Sequence, residues 1–160
     1  MRIAKAPELQ HVNFDALKLT TLRLLIVDDA VLVRKFHRRI LTPSCEEIFE
    51  ANNGQDAVDK VKESIDKGVN IDGILMDSSM PFMDGTTATK IIRELGYKGK
   101  IFGITGNAFQ SDIDNFLAHG VDEVLIKPLS MDKYAYVVQT IFSTLPTEDA
   151  SLSRIVEEDS

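Results

Sequence analysis

Five short apolar runs, each followed by a stretch with apolar residues at helical spacing, occupy this chain from Leu22 onward. That alternation leaves few folds open, because it is the pattern of parallel strands joined by crossover helices. The first run, Leu22 to Val27 (LRLLIV), is apolar enough for a strand covered on both faces. A helix beginning near Ala30 follows. It is expected to turn Val33, Phe36 and Ile40 to the core and Arg34, Lys35 and Arg38 elsewhere on the wheel. A second strand around Ile48 and Phe49 ends at the turn Asn52-Asn53-Gly54, before a helix from about Gln55 to Ile65. The third strand is Ile71 to Met76, followed by a Pro81- and Gly85-shaped loop and a helix from about Thr86 to Leu95. Lys100 to Ile104 and Val121 to Ile126 make the last two strands, each with a helix after it: Ser111 to Ala118, closed by Gly120, and Met131 to Leu145.

At 160 residues the chain has room for one domain with a proper core and short appendages. Residues 1–20 are expected to form an N-terminal extension, with Val12, Phe14, Leu17 and Leu19 able to dock part of it. Residues 146–160 are expected to form an acidic flexible tail. The formal charge of −7 supplies no basic field for nucleic acid or anionic lipid, and no run is long and apolar enough to span a bilayer. A lone cysteine, Cys45, fits a reducing compartment, so the expected location is cytoplasmic.

In an open parallel sheet, ligands collect outside the carboxyl ends of the strands. The first strand ends in Asp28-Asp29, the third in Asp77, the fourth in Thr105 and the fifth in Lys127, so three carboxylates, a hydroxyl and an amine share one rim. Taken singly, each has a plainer reading: acids at helix starts, a strand-end threonine, a solvated lysine. Their convergence argues against all of these together. Three adjacent carboxylates repel one another unless a hard cation neutralises them, and magnesium suits oxygen ligands and phosphoryl chemistry. Lys127 would balance charge on a transferred group, Thr105 would donate to one of its oxygens, and amides just after Asp77 to another. Asp84 fits a helix-start role instead. His11, His37 and His119 show no metal-ligand spacing and read as surface or boundary residues.

The pieces LLIVDDA, ILMDSSMPFMDG, ITGNAF and VLIKPL, in this order and spacing, resemble the receiver domain of response regulators and hybrid histidine kinases over residues 21–145. The last two are closest in wording to hybrid-kinase and eukaryotic receivers. The resemblance implies a flavodoxin-like, doubly wound (βα)5 α/β fold with strand order 2-1-3-4-5. It implies Asp77 as phosphoacceptor, Asp29 as a direct Mg2+ ligand, Asp28 as an outer ligand, and the Ser79 backbone carbonyl as a further metal contact. Thr105 becomes the switch hydroxyl, and Lys127 the partner of the phosphoryl group, with a cis bond to Pro128. The implied donor is a phosphohistidine on a histidine kinase or histidine phosphotransfer protein, and the implied output surface is the fourth helix, fifth strand and fifth helix. The domain would catalyse only its own phosphorylation and dephosphorylation, as a monomer or weak dimer without direct nucleic-acid or membrane contact.

One departure stands out: the position three before the lysine, often aromatic in this family, is Val124. The expectation is that Thr105 still moves and that the output face responds by a different packing change. Ser79 and Asn107 are expected to tune phosphoryl lifetime. The basic set Arg34, Lys35, Arg38 and Arg39 is expected to form a docking face for an acidic partner. Two alternatives remain. A Mg-dependent aspartyl-phosphate phosphatase would carry DxD at the nucleophile, where position 79 is serine; a non-phosphorylated pseudo-receiver would lack the acid pair, Asp77 or Lys127. No output domain is recognisable after Leu145, so the expected contexts are a stand-alone regulator, a relay intermediate or the receiver part of a hybrid kinase.

Overall fold

The computed structural model describes residues 22–145; the expected extension, tail and His11 lie outside the described residues. In chain order the elements are β1 (Leu22–Val27), α1 (Val31–Leu41), β2 (Cys45–Ala51), α2 (Gly54–Lys67), β3 (Gly73–Asp77), α3 (Gly85–Glu94), β4 (Lys100–Thr105), α4 (Gln110–Ala118), β5 (Glu123–Ile126) and α5 (Met131–Ser143). A 3-10 turn, Thr42–Ser44, sits between α1 and β2. All strand pairs are parallel, in the order β2-β1-β3-β4-β5.

Side chains alternate across a strand, so β1 sends Leu25 and Val27 to one face and Leu24 and Ile26 to the other. The first set packs with Val58 and Val61 of α2, Ala88 and Ile92 of α3, and Ile113 and Phe116 of α4. The second packs with Leu41 of α1 and Tyr134, Val138 and Ile141 of α5. Helices therefore cover both faces, which explains why the strands read as continuous apolar runs.

Two strands start later than their apolar runs. Ile71 is buried, but Tyr97 Oη donates to its carbonyl at 2.8 Å, and the β3 ladder begins only at Gly73. Val121 is likewise buried ahead of β5, where Asp122 N–H donates to Ile101 O at 2.8 Å. In the other direction, β2 extends to seven residues because it pairs with β1 from Cys45 to Ala51.

The expected faces of α1 are corrected. Its buried residues are His37 and Leu41, and Ile40 packs against the same core as expected, while Val33 and Phe36 are exposed. His37 is thus a core residue rather than a surface one. The Tyr134 hydroxyl lies 2.7 Å from its Nδ1, which makes burial of the ring tolerable, and burial holds the imidazole below its ordinary pKa. The basic set is also altered: Arg34 and Arg38 both pair with Glu50, at 2.8 and 2.7 Å.

Candidate phosphoacceptor site

Parallel strands bring their carboxyl ends to one edge, and the rim residues meet there. Asp77 ends β3 and Thr105 ends β4, both buried; Asp28 is buried just past β1, and Asp29 beside it is exposed. One carboxylate oxygen from each of Asp28, Asp29 and Asp77 lies within 4.8 Å of the others. Lys127, one residue past β5, places Nζ 2.7 Å from Asp77 Oδ1 and 3.9 Å from Asp28 Oδ2. Its peptide bond to Pro128 is cis.

Local bonds aim these groups. Asp28 Oδ1 accepts from Ala30 N–H at 2.8 Å, so this carboxylate also serves the start of α1, whose N-cap residue Ala30 has no side-chain acceptor. Arg34 Nη1 donates to Asp28 O at 2.7 Å and fixes the turn from beneath. Gly85 opens α3 directly against the site: a Cβ there would stand 2.0 Å from the Asp77 carbonyl oxygen, and its N–H donates to Ser78 O at 3.0 Å. Asp84 accepts from Thr87 N–H at 2.8 Å and caps α3, the role read from its position. In the same loop Phe82 is almost fully exposed with φ of 70°, a left-handed backbone that a bulky side chain resists.

Three carboxylates face a single ammonium, and the imbalance shows in both partners. Burial pushes the Asp77 carboxyl above its ordinary pKa; the Lys127 hydrogen bond works against this, and the charges of Asp28 and Asp29 add to it. For Lys127, burial pulls downward, but the bond to Asp77 and the three carboxylate charges outweigh it, and the net shift is upward. Burial is the main cause at Asp77, and the neighbouring carboxylates act in the same direction on both groups, since negative charge favours a proton on either. A hard divalent cation fits this donor set, which is oxygen throughout.

The amides after Asp77 divide in a way the sequence did not reveal. Ser78 N–H donates to Ile104 O at 2.9 Å, extending the sheet by one bond, so that group is not free to meet a bound oxygen. Ser79 is exposed and lines, with Thr105 and Asn107, an open polar cleft of about 510 Å³ between the loops after β3 and β4. Thr105 Oγ1 accepts from Asn107 N–H at 3.0 Å.

Fold and rim together define a doubly wound α/β domain with an acidic pocket able to take a cation. The sequence matches the family profile of the response regulator receiver domain over residues 24–139, and the chain belongs to that family. It is a receiver domain of two-component signalling. It is 37% identical over 119 residues to two-component system protein A of Emericella nidulans, and 39% identical over 116 residues to the osmosensing histidine protein kinase SLN1 of Saccharomyces cerevisiae. Those matches cover 74% and 71% of this chain but only 16% and 10% of the relatives. With chemotaxis protein CheY of Bacillus subtilis the identity is 35%, over 77% of this chain and 97% of the relative. Among solved structures, the receiver domain of the histidine kinase CKI1 from Arabidopsis thaliana, complexed with Mg2+ and BeF3-, matches with a TM-score of 0.69 at 27% identity. That match covers 83% of this chain and 97% of that one. Among the described residues, no helix is long and apolar enough to cross a membrane.

Proposed function

We propose that Asp77 accepts a phosphoryl group from a phosphohistidine carried by a histidine kinase or histidine phosphotransfer protein, within a functional unit of residues 21–145. The observation that carries this reading is the 2.7 Å approach of Lys127 Nζ to Asp77 Oδ1 inside a cluster of three carboxylates. An Asp77 oxygen forms the O–P bond as the P–N bond of the donor breaks. With the other ring nitrogen protonated, the donor leaves as neutral imidazole. Lys127 offsets the charge on the moving group, and the Thr105 hydroxyl donates to one of its oxygens. Asp28, Asp29, Asp77 and the Ser79 carbonyl would hold Mg2+, which when bound supplies positive charge against the phosphoryl oxygens.

The donor must bring its imidazole to the rim, so it covers the surface around Lys127. Leu32 and Phe36 of α1 are exposed there beside Pro128 and Leu129. With Arg34 and Arg38 engaged by Glu50, that face offers apolar contact, with charge supplied by Lys35 and Arg39. The output is a shift of the surface formed by α4, β5 and α5 when Thr105 engages the phosphoryl group.

Phosphotransfer from a phosphohistidine protein, followed by hydroxylamine treatment and peptide mass analysis, tests the reading. A hydroxamate at Asp77 is expected. Label that resists hydroxylamine, or that maps to another residue, overturns it.

A further inference from the structure

A polar chain runs from Thr105 to the first turn of α4, and beyond Thr105 its members have been given no part in the phosphotransfer step. Thr105 Oγ1 accepts from Asn107 N–H; Asn107 Oδ1 accepts from Phe109 N–H at 2.9 Å; Asn107 Nδ2 donates to Asp112 Oδ2 at 2.7 Å. Among the described residues, Thr105 Oγ1 makes no hydrogen bond to Asp77. The hydroxyl is parked on the loop after β4.

Helix α4 depends on this chain because it has little else at its amino end. Helices α2, α3 and α5 start on Asn53, Asp84 and Ser130, each of which accepts a backbone N–H within its own first turn. The N-cap of α4 is Phe109, which has no side-chain acceptor and stands 72% exposed. Nine residues are too few to hold a helix in water unaided, and α4 buries only Ile113 and Phe116. Phe116 sits hard on β4, where a Cβ on Gly103 would lie 2.6 Å from its ring. One end of α4 is therefore packed, and the other is fastened by the Asn107 side chain.

The Asn107 N–H occupies only an acceptor lone pair of Thr105, so the O–H can still donate, but movement of Oγ1 toward a phosphoryl oxygen on Asp77 strains that bond. Either the amide is given up or residues 106–109 move with the hydroxyl. Position 124, where an aromatic ring would otherwise answer the movement, is a fully buried valine packed among residues of the α2–α4 face. We infer that Asn107 is a positioning residue for Thr105: with Asp112 it latches the hydroxyl away from Asp77 in the unphosphorylated chain, and opening the latch frees the first turn of α4. The inference rests on the phosphoacceptor reading and adds to it the route by which the signal leaves the site.

A latch that opposes engagement must, when weakened, favour binding at Asp77. Two variants isolate it. Asp112→Ala and Asp112→Asn remove the same charge, but only Asn leaves an oxygen to accept from Asn107 Nδ2. Beryllofluoride with Mg2+ is titrated into parent and variants, and amide hydrogen exchange at residues 110–113 is followed in the free proteins. Asp112→Ala is expected to bind beryllofluoride with a Kd about threefold to tenfold lower than Asp112→Asn, and to exchange faster over 110–113. A merely structural role would speed exchange while leaving affinity equal or weaker, and that result overturns the latch. If the parent shows no Mg-dependent beryllofluoride binding, the phosphoacceptor reading falls and the latch falls with it; binding that is alike in both variants removes the latch alone.

Discussion

At the amino ends of the strands a guanidinium and the carboxylates around it are each held by backbone groups, whereas at the carboxyl ends three carboxylates crowd one ammonium. Arg93 donates to the carbonyls of Tyr97, Gly99 and Gly120 at 2.8 to 3.0 Å, pairs with Asp122 at 2.9 Å, and lies over the Tyr97 ring. Asp122 also accepts from Ile101 N–H and Asp72 from Arg23 N–H, each at 2.8 Å. These bonds tie the entry to β4 to that of β5, and the entry to β1 to that of β3. The opposite rim collects three carboxylates against one ammonium, a strained Phe82, and two helices, α1 and α4, without a capping side chain. One end holds the fold; the other carries unfavourable terms that, on the proposed function, a bound cation would offset.

The contrast breaks most visibly at Arg93. Arg93→Ala leaves three carbonyls and a carboxylate without their shared donor, and urea unfolding should show a loss of about 3–4 kcal/mol. A loss under 1 kcal/mol would mean that the amino end is not the clamp described.

Asp77→Asn should act in the opposite direction, raising the stability of the metal-free protein at pH 7 by about 1–3 kcal/mol. The sign follows from the raised pKa. The folded chain holds the Asp77 proton more tightly than the unfolded chain does, so the carboxyl favours folding below its ordinary range and loses that contribution as pH rises through the raised value. The gain of the variant should therefore be full at neutral pH and shrink on acidification. Melting curves taken across that range check it, and a gain that grows toward acid would refute the account of the charge excess.

The smallest effect belongs to Phe82. Phe82→Gly relieves a left-handed backbone at a side chain buried against nothing, and a gain of about 1 kcal/mol is expected in the same unfolding assay. If the phosphodonor uses that exposed ring, phosphotransfer from a protein donor should slow while phosphorylation by a small donor does not.

Much of this was legible in the residues, for identifiable reasons. Parallel strands buried on both faces must be apolar throughout, so LRLLIV and its successors mark themselves, and parallel order forces their polar terminal residues onto one rim. The strand order came from the family resemblance and not from the pattern. Boundaries slipped where burial outruns pairing, as at Ile71 and Val121, because an apolar side chain does not report whether its backbone is in the ladder. The inward face of α1 was missed because a histidine scores as polar until Tyr134 supplies its partner from the far end of the sequence. Nor could Asn107 and Asp112 be paired by spacing, since they meet across a loop and a helix start.

The central claim is tested most directly by intact-protein mass after incubation with acetyl phosphate, with and without Mg2+, for the parent and Asp77→Asn. The account predicts one added phosphoryl group on the parent, only with Mg2+, and none on the variant. No adduct on the parent, or an equal adduct on Asp77→Asn, would contradict it.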